Sequence, residues 1–224
     1  TAFGTDGFTM GTAYNQSGST YASWNWKAGT SFTNDASATG VGSIDSSGSV
    51  NTTAGFSIVS YTGTGSSATI GHGLGAVPKM IISKSLANGE HWGTYHASLG
   101  NGKALALNLN DAAGTNSSYW NNTTPTSSVW SVGTSPLTNH SNASIAYLFA
   151  EKKGYSKFGS YTGNGSADDG SYIHLGFRAA WVLIKSTALN SWEILDNKRN
   201  PTNVMGKSIF PDGDGAEYDY TNRI

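Results

Sequence analysis

Gly154 to Lys185, GYSKFGSYTGNGSADDGSYIHLGFRAAWVLIK, repeats the plan of Gly55 to Lys84, GFSIVSYTGTGSSATIGHGLGAVPKMIISK, and this repetition decides how the chain is read. Tyr61-Thr62-Gly63 recurs as Tyr161-Thr162-Gly163, Gly65 as Gly165 and Leu74-Gly75 as Leu175-Gly176. The run Met80 to Ile82 recurs as Trp181 to Leu183, Lys84 as Lys185 and Trp92 as Trp192. A residue kept in both copies serves the fold that the copies share, whereas chemistry is more often confined to one of them.

A second internal relationship links the N-terminal segment to the end of the first copy. Trp130-Ser131-Val132-Gly133 and Ser144 to Glu151, SIAYLFAE, match Phe8-Thr9-Met10-Gly11 and Tyr21 to Ala28, YASWNWKA. On that alignment Trp24 corresponds to Tyr147 and Trp26 to Phe149. Within the N-terminal segment Ala22, Trp24, Trp26 and Ala28 alternate with Tyr21, Ser23, Asn25 and Lys27, the period of a strand with one buried face.

Composition agrees with strands. The 224 residues include 29 glycines and 5 prolines among abundant Ser, Thr and Asn, which suits short strands and tight turns. The expected fold is all-β: two tandem related β-sandwich-like units, the second incomplete, preceded by an orphan strand pair. The expected boundaries are residues 1–28 for that pair, 29–54 for a Gly/Ser/Thr-rich linker with one weak strand near Val41 to Val50, 55–152 for the first unit and 153–224 for the second.

Candidate strands of the first unit are Phe56 to Thr62, Ala68 to His72, Lys79 to Ser85, Trp92 to Ala97 and Ala104 to Asn110, closed by Val129 to Gly133 and Ser144 to Ala150. The second offers Lys157 to Thr162, Ser171 to Gly176, Trp181 to Ser186, Ser191 to Asp196 and a piece near Lys207 to Phe210. No counterpart of the closing pair follows them, and the matching pair stands at the N-terminus.

Charge narrows the partners. A net charge of -1 with 12 % charged residues offers no basic field to a nucleic acid backbone. No apolar run approaches the roughly 20 residues that span a bilayer, and residues 1–28 lack the charged start and apolar core of a signal peptide. No nucleic-acid partner and no membrane insertion are therefore expected. Without cysteine there is neither disulfide nor thiolate metal site, so burial of apolar surface must hold the fold.

The stretches GFSIVSYTGTG, HGLGAVPKMIISK, YWNNTTPTSSVWSVG, AYLFAEKKGYSKFGSYTGNGS and GFRAAWVLIK together resemble an uncharacterised repeat domain of tail-fibre and related structural proteins of tailed bacteriophages, especially marine and cyanobacterial ones. The resemblance covers nearly the whole chain. It implies a virion component, extracellular in a tail or fibre, that associates with its own copies or with other virion proteins and contacts the host, whose surface glycan is a possible ligand. It brings no catalytic residues and no cofactor. Relatives of this kind continue beyond the last residues here with a further Gly-Phe segment and a final aromatic strand, which leaves a fragment among the readings.

The candidate sites follow from the same repeat logic. Trp92 and Trp192, Trp181, Trp24 and Trp26 all have aromatic or apolar relatives and are read as core. Trp120 has none; with Tyr119, Asn121 and Asn122 beside it in the loop Asn116 to Thr124, it is the candidate platform for a sugar ring. Asp212, Asp214 and Glu217, on a glycine-bearing turn, are the candidate calcium ligands, although the full twelve-residue loop and its distant bidentate Glu are missing. His72, His91, His96, His140 and His174 show no converging spacing for a metal. The glutamates lie in separate segments that force no catalytic pair together, and no nucleophile elbow or phosphate-binding turn precedes a helix. Asn-x-Ser/Thr sequons, as at Asn51 and Asn164, are numerous by composition alone.

Three functions are open on this reading: a structural and host-contact module of a phage fibre, a subunit of a bacterial extracellular filament or adhesin, or a polysaccharide-degrading fibre enzyme. An enzyme is not expected. Trp24 and Trp26 are the expected assembly residues, because a free two-stranded hairpin is marginal in water and their rings need cover. That cover can come from a neighbouring chain by strand donation, from the chain's own second unit, or from a part of a longer protein.

Overall fold

The computed structural model describes residues 2–87, 89–166, 169–203 and 205–220. The N-terminal arm carries two short paired strands, β1 (Ala2–Phe3) and β2 (Phe8–Thr9). The first unit then contributes β3 (Thr30–Asn34), helix α1 (Ala36–Thr39), β4 (Ser46–Asn51), β5 (Phe56–Thr62), β6 (Ala68–Gly71) and β7 (Met80–Ser85). It continues with β8 (Gly93–His96), β9 (Lys103–Ala106), β10 (Gly114–Thr115), β11 (Val129–Val132), helix α2 (Pro136–Asn139) and β12 (Ala143–Phe149). After it come β13 (Trp181–Lys185), β14 (Trp192–Asp196), β15 (Lys207–Ser208) and β16 (Tyr218–Asp219).

An eight-stranded antiparallel sheet in the order β10-β9-β8-β7-β12-β5-β4-β3 forms the body of the molecule. Its last strand in sequence, β12, is inserted at the centre: Phe149 faces Phe56 of β5 on one side and Met80 of β7 on the other, and Tyr147 faces Ile58 and Ile82. Alternation gives each of these strands two faces. Val59, Tyr61, Ile81, Ala146 and Leu148 point to one face, where the pair β6-β11 lies across them with Ile70, Trp130 and Val132. The Trp130 ring stands edge-on to Tyr61, centroids 5.6 Å apart. These two layers are the sandwich, and Ser46 Oγ and Ser57 Oγ stitch them by donating to the carbonyls of Gly71 and His72 at 3.0 and 2.7 Å.

Residues 29–54 are not a linker. The segment forms β3, α1 and β4, and β4 pairs with β5 from Ser46↔Tyr61 to Asn51↔Phe56. Its scarcity of large side chains suits close packing between strands: Gly48 of β4, flanked by β3 and β5, lies where a Cβ would meet the Ile58 carbonyl oxygen at 2.1 Å. Asp35 caps α1 by accepting from Ala38 N–H at 3.0 Å, and Gly40 ends it in the left-handed region at φ 68°.

The second unit keeps part of the plan. Met80↔His96, Ile81↔Tyr95 and Ile82↔Thr94 of the hairpin β7-β8 reappear as Trp181↔Asp196, Val182↔Leu195 and Leu183↔Ile194 of β13-β14, so the repeat preserves register. The expected strands Lys157 to Thr162 and Ser171 to Gly176 are not strands, and neither is Tyr21 to Ala28. The sheet order supplies the reason. In the first unit β5 is joined to β7 only through β12; with no strand among the described residues on the side of β13 away from β14, the counterpart of β5 has no ladder to enter.

Candidate functional site

Trp120 is not a sugar platform. Its side chain is 1 % exposed, stands edge-on to Tyr95 at 5.7 Å and donates its indole N–H to the Lys103 carbonyl at 3.0 Å. An aromatic with no relative in the second copy is thus core in the first, because it seals a corner that the second does not build. Tyr119 is half-buried beside it, with its hydroxyl against Gly114. Asn121 and Asn122 remain exposed on the loop, both at positive φ (51° and 44°), and Asn121 Oδ1 accepts from Ser67 Oγ at 3.2 Å. The four residues do not converge on one surface aromatic.

The acidic turn is also spoken for. Asp212 Oδ1 accepts from the Trp192 backbone N–H at 3.0 Å, and Glu217 pairs with Arg199 at 2.9 Å and Lys207 at 3.5 Å. Arg199 in turn holds the buried Asp196 at 2.7 Å and the Ile194 carbonyl at 2.9 Å. Asp212, Asp214 and Glu217 therefore do not form a calcium cage, and among the described residues no group of three His, Asp or Glu side chains gathers around a metal position.

His72, one of the five histidines with no converging spacing for a metal, is fully buried. Leu74 N–H donates to its Nδ1 at 3.1 Å and its Nε2 lies 3.3 Å from the Thr126 carbonyl, which makes Nε2 the protonated nitrogen of a neutral ring. Burial pushes its pKa down to about 4.

Aromatic rings reach the surface at several places, and two of these bear on function. The first is a junction on the face of the large sheet opposite the β6-β11 layer. There Trp26 of the arm meets Phe56, Phe149 and Trp181 at centroid distances of 6.3, 5.8 and 5.8 Å, and Phe158 leans on Phe149 and His96. Trp26 keeps 40 % of its surface exposed. The match of Trp26 to Phe149 in the sequence signalled this place, but not that the two rings would touch each other.

The second is a shallow depression of about 270 Å³ lined by Trp92, Leu107, Asn108 and Pro211. Trp92 is half-buried and stacks on Tyr147 at 6.4 Å, unlike Trp192, which is 4 % exposed and donates its indole N–H to the Ala106 carbonyl at 2.8 Å. The two tryptophans hold equivalent positions, yet only the second is sealed, since the hairpin β13-β14 docks against the chain around Ala106 to Ala113. Asn108 accepts from the Trp92 N–H at 3.0 Å and contacts His91 Nδ1 at 3.0 Å, so one amide, held by an exposed imidazole outside the lining, rims an apolar floor. Such a floor and rim fit the apolar face and hydroxyl groups of a sugar ring better than they fit any bond-breaking step.

One family model, described as Domain of unknown function (DUF7483), matches residues 1–224. No curated protein and no solved structure matches the chain.

Proposed function

The chain belongs to the DUF7483 family, and we propose that it is a structural and host-contact module of a phage tail fibre or related virion appendage. The observation that carries this reading is the second use of one hairpin register in a single chain, β7-β8 and β13-β14, with recurring residues spent on packing. Repeated units with shared cores suit a load-bearing spacer. The long stretches that resemble phage fibre repeats, from GFSIVSYTGTG to GFRAAWVLIK, support the virion as its place.

On this reading host contact is made through glycan, at the Trp92 depression, where an aromatic ring and an amide line the same surface. The module on this reading works by binding, and Asp196, Asp212 and Glu217, held in ion pairs and a backbone cap, serve the fold of the second unit.

Antibodies raised against the recombinant chain test the reading by immunogold microscopy of lysed cultures. Label on the tail appendages of virions is the expected result; label confined to bacterial surface filaments overturns it in favour of an adhesin.

A further inference from the structure

The second unit leaves an edge open. β7 carries β8 on one side and β12 on the other, whereas β13 carries β14 alone among the described residues. Among the described residues no strand of the second unit takes the place of β12 or β11. Tyr161 is 52 % exposed where Tyr61 is 4 %, and a Cβ built on Gly163 meets nothing within 4 Å, while one on Gly63 would strike the His140 carbonyl at 2.0 Å. The second copy retains a glycine for a close approach that is not made.

The arm shows the complementary deficit. Phe8 is 41 % and Met10 38 % exposed, although their relatives Trp130 and Val132 are fully buried. Tyr21 to Ala28 keeps the alternation of β12 but forms no ladder. Exposed large apolar side chains concentrate in these two segments, which the internal repeat pairs with each other. The Trp26 ring already lies 5.8 Å from Trp181, and their relatives Phe149 and Met80 are direct ladder partners.

We propose that the open edge of β13 is a docking site for Tyr21 to Ala28 of a second copy of the chain, entering as the counterpart of β12. The register follows from the first unit: Trp26 opposite Trp181, Trp24 opposite Leu183 and Ala22 opposite Lys185. A copy's own arm is held off this edge. Its Lys27 carbonyl accepts from Asn51 Nδ2 at 3.1 Å and Thr30 is already in register with Val50, so Trp26 caps the first unit's aromatic row without entering a ladder. In the docked strand Ser23 and Asn25 replace Ala146 and Leu148, so the completed unit is held by its tryptophan face more than by its core. The edge thereby acquires the backbone partners an exposed strand lacks, and copies join head to tail. The inference is independent of the virion reading, since the same joint would build a filament of any origin.

The chain has no cysteine, so an introduced pair reports only on itself. Full-length Trp24→Cys and Leu183→Cys chains are mixed, oxidised and run without reductant. The expected result is a mixed disulfide dimer, lost when Asn25→Cys replaces Trp24→Cys because neighbouring strand residues point to opposite faces. Equal dimer with Asn25→Cys overturns the proposal. So does a disulfide that forms only inside a chain carrying both substitutions, which would mean closure by the chain's own arm. The unsubstituted chain should also gain mass with concentration in sedimentation equilibrium; a monomer at every concentration overturns it as well.

Discussion

The Nε2 of His72 lies 3.3 Å from the carbonyl oxygen of Thr126, against the inner face of Trp130 and out of reach of solvent. A neutral ring satisfies both of its neighbours, because Nδ1 accepts from Leu74 and Nε2 donates to Thr126. A second proton would turn Nδ1 towards a backbone N–H that also donates.

With a folded pKa of about 4 against an unfolded value near 6.5, the unfolded chain binds more protons between those limits. The stability from the neutral ring is therefore fully present above about pH 6.5 and is lost as pH falls towards 4, by about 3 kcal/mol. Burial lowers the pKa of His96 as well, which adds a slope of the same sign. Urea unfolding at pH 7 and pH 4.5 should show a smaller loss for His72→Gln than for the parent chain; equal losses would remove His72 as the source.

Asn139 offers a sharper substitution. It is fully buried, donates through Nδ2 to the Ser66 and Gly133 carbonyls at 2.6 and 2.7 Å, and accepts from Thr64 N–H at 2.9 Å. Asn139→Asp keeps the shape but sets a carboxylate oxygen against two carbonyl oxygens. A loss of about 3 kcal/mol or more at pH 7 is expected, easing on acidification as the carboxyl gains a proton to donate. Paired denaturation curves at pH 7 and pH 4.5, each against the parent chain, measure it.

His72 and Asn139 also show what could be read in advance. Alternation marked β5, β7 and β12 to within a residue, since one face of each is buried and period two survives in the sequence. The repeat carried the register of β13-β14. Residues 30–34 were missed and 46–51 were read only as one weak strand near Val41 to Val50, because strands packed as closely as β4 is on β5 at Gly48 carry few large side chains and so resemble a loop. The polar residues that bind the layers, His72 and Asn139, gave no signal because each also answers to backbone groups far away in sequence, Thr126 for His72 and Ser66 and Thr64 for Asn139. Trp120 misled for a related reason: uniqueness within the repeat meant a corner built once, and its partner is the Lys103 carbonyl, seventeen residues earlier.

Trp192 tests how the second unit is attached. Its ring is buried and its indole N–H reaches across to the Ala106 carbonyl of the first unit. Trp192→Ala should cost about 3 to 5 kcal/mol, and Trp192→Phe about 1 to 3 kcal/mol, because the smaller ring also gives up the hydrogen bond to that carbonyl, which keeps only the Leu109 N–H. Trp92→Ala should cost less than Trp192→Ala, its ring being half-buried. Thermal unfolding of the three variants decides it, and a larger effect at Trp92 would reverse the assignment of which tryptophan is structural.

The acidic turn should ignore calcium. Glu217 is engaged by Arg199 and Lys207, and Asp212 by the Trp192 N–H, so a divalent ion would have to break those contacts before gaining any ligand. Added calcium and added chelator should leave the melting temperature unchanged. Glu217→Gln should lower stability by no more than about 1 kcal/mol, because its side chain is a third exposed and its ion pairs are screened by solvent. Asp212→Ala should cost about 1 kcal/mol through the lost cap on Trp192 N–H, with or without the ion. A melting temperature that rises with calcium in the parent chain, and no longer does so in Glu217→Gln, would restore the metal site and require the Arg199 pair to open.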